Sequence, residues 1–272
     1  MLDFLGHVHR TTEEKGCMSL HRLAHNRTRI WLIAGALAVG AVGLIQSDLP
    51  AAPPANTPDE LSQPIYSPPK RFTPRARVGG EYRGTDGKDP EVRALVPDHV
   101  ALTSKKTPSL NWFLSKPTTY EIVFTLMDTR YIKPVHEAPI PTPKKEGIYS
   151  IDLKSMGLTL EPEVQYRWYI SVIRDSDSHA SDIVAGGMIE RCEFSACVAE
   201  FSPVLTCSSV DDVTKNARAG LWYDAMGCLC SLIDQSPKDE KLRRLRARLL
   251  KDVGLNGVAE WDLRSLFIPV AH

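Results

Sequence analysis

Residues Leu158 to Glu193, LTLEPEVQYRWYISVIRDSDSHASDIVAGGMIERCE, decide how this chain is read. From Val164 to Ile173 the residues alternate. Tyr166, Trp168, Ile170 and Val172 fall on one face, and Arg167, Tyr169 and Ser171 on the other. A period of two belongs to a half-buried strand, not to a helix. The approach Leu160-Glu161-Pro162 fits a sandwich corner, where the Tyr166 hydroxyl bonds back to upstream backbone while its ring packs inward. A second run, Ile183 to Phe194, follows an acidic, serine-rich loop. Its Gly186-Gly187 pair marks a bulge or a point of close approach. Two long antiparallel strands joined by a loop are therefore expected.

Upstream, shorter strands are expected over Val92 to Val96, Val100 to Thr103, Thr107 to Leu114, Tyr120 to Met127, Tyr131 to His136 and Ile148 to Leu153. The proline-rich Pro139 to Pro143 is read as a loop between the last two. Tyr120, Ile122, Phe124 and Leu126 share one face. About seven short strands with turn residues between them and no interleaved helix predict an antiparallel β-sandwich of immunoglobulin or fibronectin type over residues 91–200.

Downstream the period changes. Asp211 or Asp212 can cap a helix through Ala219. A second helix carries Leu221, Ala225, Leu229, Leu232 and Ile233 at three- and four-residue steps. Ser236-Pro237 breaks it, with Pro237 in the first turn of a third helix. That helix places Leu242, Leu245, Leu249, Leu250 and Val253 on one stripe and ends at Gly254. Residues 201–256 thus form two to three helices that resemble a single tetratricopeptide unit, and 257–272 is a tail. A lone unit of this kind cannot bury its own face, so these helices must pack on the sandwich or on a partner. The fold class is mainly β with a C-terminal α part.

The other end reads as a leader. Residues 1–29 are basic and Met18 resembles a start site. The uncharged run Ile30 to Ser47 follows Arg22, Arg27 and Arg29, as an n-region precedes an h-region. It is shorter than an ordinary membrane span and longer than most h-regions, and a clean small-x-small cleavage site is missing, so an uncleaved anchor and a cleaved signal stand about even, with the anchor slightly favoured. Either way the basic side stays cytoplasmic and the remainder is exported. The protein is expected in the inner membrane with its C-terminal part in the periplasm, or free there if the leader is cut. Residues 48–90 read as a proline-rich, disordered tether.

Lysine plus arginine number 33, and so do aspartate plus glutamate, so no global charge attracts nucleic acid. Six cysteines in 272 residues exclude a disulfide-dense scaffold.

Several pieces together resemble a bacterial family, domain of unknown function 928. They are Arg77-Val78-Gly79-Gly80 with Arg83-Gly84, Ala94-Leu95-Val96-Pro97, Pro108 with Trp112, and Tyr166-Arg167-Trp168-Tyr169. Ile189-Glu190-Arg191 and Gly220-Leu221-Trp222-Tyr223-Asp224-Ala225 complete the set. The resemblance spans roughly residues 75–256 and implies export and a sandwich-plus-helices layout, but no activity. The family pattern has cysteines shortly after the Arg-Gly pair and after the long strand. Here residues near Asp86 to Asp89 and Arg174 stand in those places.

Four groups of residues could carry chemistry. The loop Asp175 to Asp182 offers Asp175, Asp177, His179 and Asp182. As a calcium loop it lacks the central glycine and the closing glutamate. As a catalytic site it has carboxylates and one histidine, but no second stretch converges on it. Its bland reading is a solvated hairpin loop. Among the cysteines past the apolar run, Cys192, Cys197 and Cys207 could supply one disulfide, or all could be buried thiols. No Cys-x2-Cys zinc spacing is present. Lys238, Lys241, Arg243, Arg244, Arg246, Arg248 and Lys251 give the third helix a basic surface, suited to an acidic protein or lipid headgroup, or simply solvated. Trp222, Tyr223 and Asp224 either pack helix on sheet or anchor a partner.

The leading expectation is a non-catalytic, membrane-tethered or secreted extracytoplasmic module that binds another protein, without cofactor, metal or nucleic acid. The alternative is a glycan-binding domain or hydrolase using the Asp175 to Asp182 loop.

Overall fold

A computed structural model describes residues 65–69, 75–79, 89–193 and 207–267. All of them belong to one unit, Asn56–His272. The expected leader (1–29), the apolar run (30–47), much of the tether, and Cys197 lie outside the described residues.

Eight strands precede four helices. They are β1 (Val92–Ala94), β2 (Ala101–Thr103), β3 (Ser109–Leu114), β4 (Glu121–Asp128), β5 (His136–Ile140), β6 (Gly147–Asp152), β7 (Gln165–Ile173) and β8 (Ile183–Arg191). They form a three-stranded sheet, β1-β3-β6, and a five-stranded sheet, β2-β8-β7-β4-β5. The chain is thus mainly β with a C-terminal α part. β7 sits at the middle of the larger sheet, and its alternation is that of the sequence: Tyr166, Trp168, Ile170 and Val172 are buried. From β4, Ile122, Phe124 and Leu126 join them, and the smaller sheet adds Leu110, Trp112 and Leu114 to the same hydrophobic cluster. The Tyr166 hydroxyl accepts from the Glu161 amide at 3.1 Å, which ties the entry of β7 to the preceding turn.

Gly186-Gly187 is a close-approach point, and the β7–β8 register runs through it without a bulge. A Cβ on Gly186 would collide with the Trp168 carbonyl, and one on Gly187 would lie 2.6 Å from Val96 Cγ2. Val78 bridges to Gly186 here, with reciprocal amide–carbonyl bonds of 2.9 and 3.0 Å.

Three features depart from the sequence expectations. The larger sheet is not wholly antiparallel, since β2 runs parallel to β8. Strands β3 to β7 intervene, enough chain for the crossover that parallel pairing needs. The fifth strand is His136–Ile140, not Tyr131 to His136. Asp128 accepts the Arg130 amide at 2.9 Å and folds residues 129–135 into an exposed turn. Pro139 is tolerated because β5 is an edge strand, where a missing N–H need not break a ladder. Finally, the supposed tether contains two docked pieces: Tyr66 and Ala76 are 4% and 2% exposed.

The helices are α1 (Val210–Arg218), α2 (Trp222–Gln235), α3 (Glu240–Asp252) and α4 (Asn256–Arg264). Ser209, not an aspartate, is the N-cap of α1. Its hydroxyl accepts from the Asp212 amide, and Asp212 reaches back to the Ser209 amide. Hydrogen bonds from Ser208 hold the Asp212 carboxyl below its usual range. α2 is buried along most of its circumference, as expected of a helix apolar on all sides. Asp239 caps α3, so Pro237 lies just outside it. α3 ends at Asp252 with Val253 as its C-cap, and Gly254 follows with a φ of +75° that suits a glycine. α4 occupies a stretch that reads as a tail, and packs against α3. Among the described residues no helix is long and apolar enough to cross a membrane.

Candidate functional site

The seam between α2 and the sheets is held by a cluster of buried hydrogen bonds. Trp222, Tyr223 and Asp224 are each at most 2% exposed. The Trp222 Nε1–H donates to the Leu95 carbonyl at 2.8 Å. The Tyr223 hydroxyl accepts from Trp168 Nε1 at 2.8 Å and donates to the Met188 carbonyl at 3.1 Å. Asp224 accepts from the Thr103 hydroxyl at 3.0 Å and from the Ser104 amide at 2.7 Å. Three consecutive side chains thus reach four strands or strand ends. Burial pushes the Tyr223 phenol and the Asp224 carboxyl up from their ordinary values. The partner-anchor reading of this triplet is corrected: all three are consumed in docking the helix.

Tyr66 closes the same seam from outside. Its ring meets Trp222 edge-on at 5.0 Å and stacks on His99 at 5.8 Å. Its hydroxyl lies 2.9 Å from His99 Nε2. Burial raises the Tyr66 phenol and lowers the His99 imidazole. The Ile65 and Tyr66 amides donate to Asp252 Oδ2, at 2.8 and 3.1 Å, and Arg77 donates to the Val96 and Val253 carbonyls. A segment rich in proline offers no periodic signal, so sequence reasoning missed Tyr66. Its isolated aromatic ring between prolines was the one available cue.

The Asp175 to Asp182 loop is a hairpin tip closed by a short 3-10 turn, His179–Ser181. Asp175, Asp177 and His179 are exposed. Asp175 accepts from the Asp177 amide at 2.9 Å. His179 Nδ1 lies 2.8 Å from Asp182 Oδ2, with the imidazole side chain 75% exposed. Each of these contacts shapes the turn. Among the described residues no group of three or more His, Cys, Asp and Glu could hold a metal ion.

The disulfide is Cys207–Cys228, with Cα atoms 5.3 Å apart, and it ties the entry of α1 to the middle of α2. The expected pairing among Cys192, Cys197 and Cys207 is corrected for the two described members: Cys192 is a buried thiol, and Cys207 takes its partner from a helix. Spacing could not reveal this, because α2 docks only through long-range contacts.

The basic third helix is corrected as well. Arg246 is buried and makes a bidentate pair with Asp262 of α4, at 2.7 and 2.6 Å. Burial would depress that guanidinium, but the bonds to Asp262 outweigh it and raise the value. Arg243 shares Asp262 at 2.7 Å, and Arg244 pairs with Glu240. Two of the seven residues expected to form the basic surface, Arg243 and Arg246, thus belong to an internal α3–α4 clamp.

One concave feature lies at the edges of the two sheets. A groove of about 280 Å³ opens where edge strands β5 and β6 face each other. Trp112 forms its floor, with Ile140, Pro141, Pro143, Tyr149 and Met156 around it. Trp112 and Tyr149 are cross-strand partners with ring centroids 5.4 Å apart. The Tyr149 hydroxyl donates to the Lys145 carbonyl at 2.6 Å and braces the connection between β5 and β6. Ile140, Pro141 and Pro143, from the stretch read from sequence as a plain loop, supply one wall.

A comparison with curated proteins gives no match. A family model described as Domain of Unknown Function (DUF928) matches residues 78–263, which include both sheets and nearly all of the four helices. The chain belongs to the DUF928 family.

Proposed function

We propose that this chain is an exported, membrane-tethered module that binds another protein and performs no chemistry itself. The groove between β5 and β6 carries this reading. Seven of its ten lining residues are aromatic, aliphatic or proline, with Ser150, Asp152 and Ser155 as the polar remainder, which suits a mainly apolar segment of a partner that also carries a hydrogen-bond donor. Pro139 blunts the neighbouring strand edge against indiscriminate pairing, leaving side-chain recognition as the mode.

The finer fold reading accompanies it. The Tyr166–Glu161 corner and the shared core of the two sheets favour an immunoglobulin or fibronectin-like sandwich. The α2–α3 pair turning at Ser236-Pro237 favours a tetratricopeptide-like unit docked on it. Export is favoured by the basic-then-apolar N-terminus and by the Cys207–Cys228 disulfide, which belongs to an oxidising compartment.

The test is photocrosslinking in native membranes, with a photoreactive residue at Tyr149 or Met156 and, separately, at Asp177. One discrete adduct from the groove positions, lost when Ile140 is changed to Asp, is the expected result. If adducts form only from Asp177, and His179→Ala abolishes glycan binding or hydrolysis, the loop is the site and the groove reading fails.

A further inference from the structure

We propose that the turn between β4 and β5 dips its tip, Tyr131-Ile132, into the surface of a phospholipid bilayer. Five large hydrophobic side chains are exposed among the described residues, and three of them are here: Tyr131 at 64%, Ile132 at 95% and Val135 at 49%. Scattered exposed apolar residues need no explanation, but three within five positions form a feature.

The turn is built to present them. The Asp128 carboxylate, 4% exposed, accepts from the Arg130 amide and from its guanidinium. The Thr129 amide donates to the Gln165 carbonyl, that of Tyr131 to the Asp128 carbonyl, and that of Val135 to the Leu126 carbonyl. Pro134 has no amide proton to satisfy. A hydrocarbon environment tolerates only backbone whose polar groups are already bonded. Four amides of the turn meet that condition, and those of Ile132 and Lys133 suit an interfacial depth where headgroups and water accept.

Charge and shape favour a bilayer over a protein surface. Residues 129–135 contain no acidic side chain. Arg130 is taken up by Asp128 and Glu161 and lies 5.4 Å from the Tyr131 ring centroid. Lys133 has no ion-pair partner among the described residues and can reach a phosphate while its stem lies along the tip. A tyrosine and a lysine flanking one inserted aliphatic residue is the composition of an interfacial belt. Because Ile132 is almost wholly exposed, the tip is convex, and a fluid bilayer conforms to a point without a preformed pocket. The inference rests on the tether reading. Residues 48–64 can span at most about 61 Å, which keeps a bilayer within reach of Ile65.

The full chain, reconstituted into phosphatidylcholine vesicles with roughly one-fifth phosphatidylglycerol, would be irradiated with a diazirine-bearing acyl chain and its adducts mapped. Adducts are expected on both Ile30–Ser47 and Tyr131–Val135. Ile132→Ser should cut labelling of the turn roughly ten-fold, the scale set by one buried aliphatic side chain. Lys133→Ala should reduce it only when the anionic lipid is present. Adducts on residues 30–47 alone would overturn the tip proposal and leave the tether standing. Adducts on the turn alone would sustain the tip and sink the tether. Adducts on neither, or turn labelling unchanged by Ile132→Ser, would also overturn it.

Discussion

The indole Nε1 of Trp168, in the middle of β7, donates to the Tyr223 hydroxyl of α2 at 2.8 Å, and both side chains are buried. The strand that organises the sheets is therefore bonded to the first turn of the helix that organises the C-terminal region. Tyr223 passes the interaction on to the Met188 carbonyl of β8. One phenol thus reads the spacing of two neighbouring strands and the position of a helix.

Tyr223→Phe keeps the ring and removes the hydroxyl, leaving the Trp168 N–H and the Met188 carbonyl buried without that partner. A loss of about 2–4 kcal/mol in urea unfolding is expected, since each orphaned group is desolvated for nothing. Trp168→Phe combined with Tyr223→Phe should cost less than the two single changes added together. Strict additivity would mean the two groups do not act through one another.

Asp224 gives a pH signature of the same seam. Burial raises its carboxyl above the usual range, opposed by the Ser104 amide, the Lys105 charge and the Thr103 hydroxyl. A group with a raised folded value holds its proton more tightly when folded. Its contribution is complete below the unfolded value of about 4 and declines as pH rises through the folded value. Asp224→Asn removes this dependence. Melting temperatures taken from pH 4 to 8 should show the wild-type advantage over Asp224→Asn shrinking as pH rises. An advantage that grows with pH would reverse the assignment.

The sheets were legible because alternation is a local property: Tyr166 to Val172 and Ile122 to Leu126 declare their inward face without reference to anything else. Where a side chain overrides the pattern, legibility stops. Tyr131-Ile132 reads as strand, yet the Asp128 carboxylate turns the chain there, and the strand begins five residues late. Features made by distant partners left no local trace. Cys228 meets Cys207 across a helix start, Arg246 finds Asp262 in a helix too short and too weakly patterned to stand out, and the groove exists only where two edges meet. The loop at Asp175 to Asp182 was legible as a polar tip for the opposite reason: its contacts are nearly all within itself.

The Cys207–Cys228 bridge closes a loop of 21 residues in sequence. Cys207→Ser should destabilise the chain by about 3 kcal/mol, mainly through a less restricted unfolded state. A reductant should lower the melting temperature of the wild type and of Cys192→Ser alike, and leave that of Cys207→Ser unchanged. Peptide mapping without reduction checks the pairing directly. A linked peptide joining Cys192 to Cys207 would displace this assignment.

Asp262 pairs with two guanidinium groups, those of Arg243 and Arg246, with its own side chain fully buried. Asp262→Ala leaves Arg246 buried and uncompensated, for an expected loss of about 3–5 kcal/mol. Arg246→Met with Asp262→Leu should recover most of it, because a hydrophobic pair of similar volume carries no desolvation penalty. Chemical denaturation of the wild type and these two variants decides the point, and a double variant no better than Asp262→Ala would place the defect in packing.

Tyr66 tests whether the segment before the first strand belongs to the fold. Its hydroxyl–His99 contact is one hydrogen bond, so Tyr66→Phe should lose about 1 kcal/mol. Tyr66→Ala removes the ring that covers Trp222 and His99 and should lose about 3–4 kcal/mol, as for other buried aromatics. Asp252→Asn weakens the acceptor for the Ile65 and Tyr66 amides and should fall between them. Since Tyr66 lies within the proline-rich stretch and ahead of β1, any pull from the N-terminal side would act on this contact before reaching β1. Hydrogen exchange at the Ser67 amide, which donates to the Ala217 carbonyl at 3.1 Å, reports the docking directly. It should be protected in the wild type and at solvent rate in Tyr66→Ala. Equal exchange in both would mean that the segment is held by something other than its aromatic ring.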